Sequence, residues 1–232
     1  MPITERPLLS IIIPALNEGG NIGATIDALK KSGVKCRYDI VVVDGGSTDA
    51  TIEEARNRGA DIIESEAGRG NQLAAGGRKA KGAWFLFLHA DTELAPGWYD
   101  EVEAFMQDDR NLRHAAVFSY LLDDDGPAAN ILEAIVNLRT RVLALPYGDQ
   151  GLLINRVFYH DLRGYALLRI MEDVEIIRRI GRDRLHVFKT CAITSADKYR
   201  RDGYLFRPLK NIFCLMLYFL GLPDRLIAKI YR

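Results

Sequence analysis

Short apolar runs alternate with segments of helical periodicity through the first half of the chain. Apolar runs rich in β-branched residues predict strands, and the longest run, 83–92, is continuous enough for a strand buried on both faces. Strand and helix units this short predict βαβ crossovers and an α/β fold, with a mostly parallel central sheet flanked by helices. The predicted strands cover 8–14, 39–43, 60–63 and 83–92. Three helices are predicted between them: the first begins near Ile22 and stops at Gly33, the second ends at about Arg58, and the third covers 73–81.

The second half of the chain continues the pattern with longer elements. A helix starting near Pro96 and a long amphipathic helix over 128–145 are predicted from apolar residues at helical spacing. The long helix presents the apolar stripe Ile131, Ile135, Leu138 and Val142. Further strands are predicted over 114–122, 152–154 and 185–192, with a helix opening at Glu172 and carrying Val174, Ile177 and Ile180.

The last part of the chain, 205–232, reads as a helical tail on a single domain over 1–204. A helix over 209–222 would carry apolar side chains on nearly all of its faces, and basic residues lie at both of its ends. We expect this tail to pack against the domain, to pair with a second copy, or to dip into a membrane surface. The uncharged stretch 211–223 is shorter than the roughly 20 residues that span a bilayer.

Composition narrows the function classes only slightly. Lysine and arginine total 31, as do aspartate and glutamate, so no overall charge favours nucleic acid as a partner. Three cysteines without metal-ligand spacing suit a reducing compartment. The amino terminus lacks the pattern of a signal peptide. We therefore expect a cytoplasmic protein, with peripheral attachment at the inner membrane face as the alternative.

Candidate chemistry lies where the predicted strands end. The run 83–92 delivers His89 and Asp91, and ligands of open α/β sheets bind outside the carboxyl ends of strands. A carboxylate and an imidazole together suit Mn²⁺ better than Mg²⁺. The alternative is that Asp91 caps a turn.

A second strand end presents Asp44 in front of two glycines. This is not the dinucleotide fingerprint, which needs G-x-G-x-x-G after the first strand. A carboxylate followed by glycines suits contact with a base or ribose, and the alternative is a cap on the next helix.

Four motifs now agree in order and spacing: SIIIPALNE at 10–18, VVVDGGSTD at 41–49, GRG at 68–70 and FLFLHAD at 85–91. Together with GDQG at 148–151 and MED at 171–173, they resemble family 2 glycosyltransferases. The resemblance implies the GT-A fold, a nucleotide-activated sugar donor and inversion at the anomeric carbon. Within the family, the chain looks closest to a small bacterial subgroup associated with radical-SAM, selenium and arsenosugar genes.

The resemblance assigns roles to individual residues. Asp44 would read the uracil edge, Asp91 matches the last carboxylate of the metal-binding Asp-x-Asp motif, and Asp173 matches the catalytic base, with Glu172 as its companion. His89 replaces the first aspartate of that motif, and Gly45 replaces the aspartate that usually follows Asp44. The remaining nucleotide contacts implied are Pro14, Asn17, Glu18 and Gly45, with Arg69 and Gly70 near the donor phosphates.

Two further pairs are candidates from their own pattern. Asp149 and Gln150, in a turn bracketed by glycines, are candidate acceptor contacts, or else simply part of a polar turn. Arg200 and Arg201 would close over the diphosphate from the tail, or else form a solvated basic face.

The sequence thus predicts an enzyme that moves a single sugar from a nucleotide-diphosphate sugar, UDP-linked by preference, to a hydroxyl acceptor with a divalent metal. The segment around Tyr199 lacks the Gln-x-x-Arg-Trp motif of processive members, which favours one transfer per binding event. The alternatives are a nucleotidyltransferase of similar architecture and a nucleotide-sugar-binding module without turnover. A nucleotidyltransferase would normally carry a Gly-rich, Lys-bearing loop after the first strand, where this chain has Asn17, Glu18, Gly19 and Gly20.

Overall fold

The computed structural model describes residues 8–31 and 37–231. Gly33, the predicted stop of the first helix, and Cys36 lie outside the described residues. The strands are β1 (Leu9–Ala15), β2 (Tyr38–Asp44), β3 (Asp61–Glu64), β4 (Trp84–Phe87), β5 (Thr92–Leu94), β6 (Ala115–Leu122), β7 (Leu152–Asn155) and β8 (Leu185–Thr194). The helices are α1 (Ile22–Lys31), α2 (Thr51–Asn57), α3 (Arg69–Lys79), α4 (Trp98–Gln107), α5 (Pro127–Leu143), α6 (Arg156–Asp161), α7 (Glu172–Ile180), α8 (Asp197–Asp202), α9 (Phe206–Phe219) and α10 (Asp224–Tyr231).

The described strands form one mixed sheet in the order β3-β2-β1-β4-β7-β6-β8-β5. Its first half, from β3 to β4, is parallel, as the alternation of strands and helices predicts. The second half is different, since β7 runs antiparallel to both β4 and β6, and β5 runs antiparallel to β8. The α/β class is therefore confirmed, and the sheet is mixed but mostly parallel, since β6 also pairs parallel with β8.

The apolar run 83–92 is shorter as a strand than predicted. β4 ends at Phe87, and His89 and Asp91 lie in the connection to β5, which begins at Thr92. All four residues of β4 are buried between β1 and β7. The polar pair therefore emerges beyond the carboxyl end of a fully buried strand.

α3 begins earlier than predicted, because the segment expected to be a loop forms its first turn. Gly68 precedes the helix with φ of 129°, a conformation that favours glycine, and Arg69 is the first helical residue. The Arg69 side chain is therefore attached to the first residue of a helix.

α5 buries a different face from the one its apolar stripe predicts. The stripe Ile131, Ile135, Leu138 and Val142 is about half exposed or more. The buried face instead holds Ala129, Leu132, Val136 and Thr140.

The reason lies at the edge of β6 that β7 leaves unpaired beyond Ala116. Asn137 bonds both the N–H and the carbonyl of Tyr120, and Glu133 accepts from the N–H of Leu122. These polar side chains satisfy the strand's free backbone groups. The face of α5 that carries them therefore packs against β6, and the larger apolar residues are left exposed.

The described part of the tail forms two helices, α9 and α10, that pack partly on the domain. Cys214 of α9 and Ile227 of α10 are buried in a cluster with Met171 and Val174 at the start of α7. No helix among residues 8–31 and 37–231 has the length and apolar character needed to cross a membrane.

Candidate functional site

A cavity of about 630 Å³ opens beyond the carboxyl ends of β1 and β4. Its size is typical of a small-molecule site. The starts of α3 and α7 line one side, and the tail covers another. Charged residues of both signs face it, namely Glu18, Arg69, Asp91, Asp149, Arg169, Asp173, Lys198 and Arg207; other lining residues include Pro14, His89, Tyr147, Gly148, Thr194 and Tyr231.

Asp44 lies at the tip of β2, buried to 2% exposure, and does not line the cavity itself. Its Oδ2 accepts hydrogen bonds from the N–H groups of Gly46 and Ser47, at 2.8 and 3.0 Å. Its Oδ1 is buried without a hydrogen-bond partner in the described part of the chain. A buried acceptor without a partner is costly, so this oxygen favours a donor such as a ring N–H.

The residues predicted at the end of β1 divide into two groups. Pro14 and Glu18 line the cavity. Asn17 does not; its N–H donates to Ser47 Oγ, and its Oδ1 accepts from the N–H of Thr48, each at 2.9 Å. Asn17, with φ of 56°, thus fastens the loop after β1 to the loop after β2.

The glycines predicted to contact the nucleotide serve backbone packing instead. Gly45 makes room for Gln72, whose Nε2 donates to the carbonyls of Ala15 and Val43 at 2.7 and 2.9 Å. Gly70 donates its N–H to the Leu168 carbonyl at 3.1 Å and, in the described structure, lies outside the cavity lining. Both predictions are corrected on this point, because the Gln72 side chain fills the space beside Gly45 and backbone atoms of residues 166–168 fill the space beside Gly70.

Arg69 and Glu172 tie the starts of α3 and α7 together. Arg69 Nε lies 3.5 Å from Glu172 Oε1, and Glu172 is only 1% exposed. Burial raises the pKa of Glu172 to about 7, while Arg69 opposes the shift. Glu172 is turned away from the large cavity, so it holds Arg69 in place rather than reaching a substrate.

Asp173, one residue on, faces the cavity. Its Oδ2 accepts from the N–H of Gly148 at 2.8 Å and its Oδ1 from the N–H of Val174 at 2.7 Å. These donors, at the start of a helix, stabilise a carboxylate. Gly148 has to be glycine, because a Cβ there would lie 2.6 Å from His89 Nε2.

His89, Asp91 and Lys198 meet at the cavity wall. Burial lowers the pKa of His89 to about 3, with Arg69 adding to the effect, so its imidazole is neutral. Burial alone would raise the pKa of Asp91, but the ammonium group of Lys198, which donates a hydrogen bond to it, helps to hold that pKa below its ordinary value. Lys198 Nζ donates to Asp91 Oδ2 at 2.7 Å.

A divalent cation fits part of this donor set. A carboxylate and a neutral imidazole are both acceptable to Mn²⁺. No group of three potential metal-ligating side chains occurs among the described residues, so a bound molecule would have to supply the other ligands. Lys198 would also have to release Asp91.

The predicted acceptor residues also differ from one another. Asp149 lines the cavity with its Oδ1 unpartnered in the described structure, and burial raises its pKa to about 6. Gln150 is fully buried; its Nε2 donates to the Phe118 carbonyl and its Oε1 accepts from Thr140 Oγ1. Gln150 is therefore corrected from an acceptor contact to a residue that completes the edge of β6.

The structure also directs the predicted phosphate-binding arginines away from the cavity. Arg200 Nε pairs with Asp124 at 3.0 Å, and Arg201 Nε pairs with Asp202 at 2.7 Å. Lys198, in the same basic run, faces the cavity instead. Sequence reasoning missed it because a run of three cations does not show which one a helix turns inward.

Comparison with known proteins places this site in a family. Residues 10–141 match Glycosyl transferase family 2. A PGL/p-HBAD biosynthesis glycosyltransferase from Mycobacterium bovis is 36% identical over 96 residues, which cover 38% of this chain and 37% of that protein. Glycosyltransferase AglE from Haloferax volcanii is 31% identical over 102 residues, covering 40% of this chain and 34% of that protein. The chain therefore spans little more than a third of these relatives.

Solved structures agree on the fold. Glucosyl-3-phosphoglycerate synthase from Mycobacterium tuberculosis, in complex with Mn²⁺, UDP and glucosyl-3-phosphoglycerate, superposes with a TM-score of 0.61 at 19% identity, covering 94% of this chain and 81% of that one. A mannosyltransferase from Pyrobaculum calidifontis, in complex with GDP-Man and Mn²⁺, gives 0.64 at 17% identity, covering 89% and 61%. The fold is GT-A, as predicted. The match to the family covers more than half of the residues of this chain, and the chain therefore belongs to glycosyl transferase family 2.

Proposed function

We propose that this glycosyltransferase moves a single sugar from a UDP-linked donor to a hydroxyl acceptor, with inversion at the anomeric carbon. The observation that carries the proposal is that Arg69 and Asp173 begin two neighbouring helices and face one cavity. A cation for the leaving diphosphate and a carboxylate for the acceptor are the two groups that such a transfer needs.

The choice of donor rests on the other end of the site. Asp44 keeps one carboxylate oxygen without a partner in the described structure, which suits the ring N–H of uracil. Of the two structural relatives, the synthase is in complex with UDP and the mannosyltransferase with GDP-Man. UDP and GDP are therefore the nucleotides to compare.

In the transfer, Asp173 accepts the proton of the acceptor hydroxyl while that oxygen bonds to the anomeric carbon. The bond between this carbon and the donor phosphate oxygen breaks, and Arg69 neutralises the charge that develops on the diphosphate. Attack from the side opposite the leaving group inverts the configuration. A divalent cation held by Asp91 and His89 would add positive charge for the same diphosphate.

Calorimetry with UDP and GDP in the presence of Mn²⁺ tests the proposal. We expect UDP to bind more tightly than GDP, and Asp44→Ala to weaken UDP by about 1–3 kcal/mol, because a buried hydrogen bond is lost. Glu93→Ala, an exposed change on β5 outside the cavity lining, is the control. No binding of either nucleotide to the wild type would refute the proposal, and unchanged UDP affinity in Asp44→Ala would remove Asp44 from the site.

We also propose that the tail docks on a membrane surface. α9 buries Cys214 but leaves Leu209, Phe213 and Met216 about half exposed. The exposed cations Arg225 and Lys229 lie on the following helix. Apolar residues beside basic ones are typical of helices that lie in the interface of anionic bilayers.

A further inference from the structure

The ammonium group of Lys198 lies next to Asp91, the predicted metal ligand. Lys198 Nζ lies 2.7 Å from Asp91 Oδ2, and the Asp91 side chain is only 8% exposed. A carboxylate so buried needs a positive partner. The lysine is half exposed and reaches Asp91 from the cavity side.

Hydrogen bonds hold the backbone on both sides of this pair. The N–H of Ser195 donates to the Asp91 carbonyl at 3.2 Å, so the end of β8 is tied to the same loop. On the opposite side of α8, Arg200 holds the turn at Asp123 and Asp124. The flexible four-carbon stem of Lys198 would allow its ammonium group to leave Asp91 while α8 stays anchored.

We propose that Lys198 is an exchangeable counter-ion: it neutralises Asp91 before metal and donor bind, gives up the carboxylate to a divalent cation, and then contacts the donor diphosphate. The contact with diphosphate rests on the proposed function, since it requires a nucleotide sugar in the cavity. Exchange at Asp91 requires only the metal. Arg69, at the start of α3, faces the same cavity, so the freed ammonium would join a second cation there.

Two titrations of the whole chain test the proposal. In the first, Mn²⁺ is added to nucleotide-free protein and free Mn²⁺ is followed by electron paramagnetic resonance. Lys198→Met removes the competitor, so Mn²⁺ should bind about fivefold more tightly than in the wild type. Lys189→Met, which removes an exposed lysine of β8 outside the cavity lining, should leave Mn²⁺ binding unchanged.

In the second, UDP is titrated by calorimetry at saturating Mn²⁺, and Lys198→Met should weaken UDP about fivefold. A merely structural role for Lys198 would not move the two affinities in opposite directions. Equal Mn²⁺ binding by wild type and variant, including none by either, overturns the exchange at Asp91. Unchanged UDP affinity overturns the diphosphate contact. If the wild type binds no UDP but the Mn²⁺ shift is seen, the proposed function fails and the exchange stands.

Discussion

Asp173 and Glu172 are neighbours in the chain with opposite surroundings. Adjacent residues of a helix point about 100° apart, so only one of them faces the cavity. The structure buries Glu172 against Arg69 and leaves Asp173 at the cavity wall, fixed by the N–H of Gly148. The proposed proton acceptor, Asp173, and the residue that pairs with Arg69, Glu172, therefore lie side by side at one helix start.

This division predicts different kinetics for the two isosteric variants. Asp173→Asn keeps the side-chain shape but removes the proton acceptor, so turnover should fall by about 10²–10⁴-fold with donor affinity retained. Glu172→Gln weakens the hold on Arg69, so it should mainly weaken donor binding. Donor affinity by calorimetry and transfer rate on an acceptor found by screening separate the two. Normal turnover by Asp173→Asn would reverse the assignment.

Asp149 predicts a pH dependence of stability. Burial raises its pKa in the folded protein to about 6, above the ordinary value of 3.8. The folded state thus holds this proton more strongly than the unfolded chain, so the stabilisation is complete below about pH 4 and is lost as pH rises through 6.

Asp149→Asn should remove that loss. Between pH 4.5 and 7.5, the wild type should lose up to about 2 kcal/mol of unfolding free energy relative to the variant. Urea unfolding in the presence of a chelator measures the difference, and comparing the two proteins cancels the contribution of Glu172. Parallel curves for the two proteins would show that Asp149 is not perturbed.

Sequence alone predicted several residues of the cavity wall, but it did not show which neighbouring side chains face the cavity. His89 and Asp91 follow a buried run, so local pattern was enough to single them out, whereas Asp173 was singled out by the family resemblance. Lys198 was missed, and Gln150 was wrongly expected to contact the acceptor, because their roles depend on contacts distant in the chain: Lys198 pairs with Asp91, and Gln150 donates to the Phe118 carbonyl. Nothing in the sequence neighbourhood of either residue encodes that partner.

At the scale of elements, the strands and most helices follow from periodicity, and α5 shows where periodicity fails. Its strongest apolar stripe, which includes Ile135 and Leu138, lies outward. Its inward face is chosen by Glu133 and Asn137, which bond the open edge of β6. This edge is open because β7 pairs only with Ala115 and Ala116 of β6, which is a property of the sheet that a helical pattern cannot reveal.

The packing of α3 against the segment before α7 gives a prediction at this scale. A Cβ on Gly70 would lie 2.4 Å from the Leu168 carbonyl oxygen and 2.5 Å from that of Ala166. Alanine gains about 1 kcal/mol of helix propensity over glycine. Overpacking against backbone costs about 1–3 kcal/mol or more, so Gly70→Ala should destabilise the protein.

Urea unfolding measures the effect, with Gly20→Ala as the matched control, because nothing lies within 4 Å of a Cβ at Gly20. The control should change stability by less than about 0.5 kcal/mol. Since Arg69 precedes Gly70, the variant should also bind UDP more weakly than the wild type. Equal stability of Gly70→Ala and wild type would show that the contact with the 166–168 segment yields easily.

At the scale of the whole molecule, the tail both lines the candidate cavity and carries an exposed apolar surface. α10 closes the cavity with Tyr231, while its Leu226 and Ile230 face outward. Contact of the tail with a membrane would therefore bring the cavity close to the bilayer. An acceptor carried by the membrane would then reach Asp173 without crossing bulk solvent.

Flotation with lipid vesicles tests the docking of the tail. Wild-type protein should float with vesicles that contain anionic lipid, less with neutral ones, and less at high salt, because Arg225 and Lys229 supply part of the attraction. Replacing Phe213 and Met216 of α9 together by serine should weaken binding about tenfold, since two half-exposed apolar side chains leave the bilayer. The matched control replaces Ile135 and Leu138 of α5 by serine, an equally exposed pair on a helix outside the tail. Equal loss in both variants would mean that apolar exposure in general, and not the tail, drives binding. If the wild type instead stays in solution as a dimer and the α9 variant is a monomer, this face of α9 pairs with a second copy.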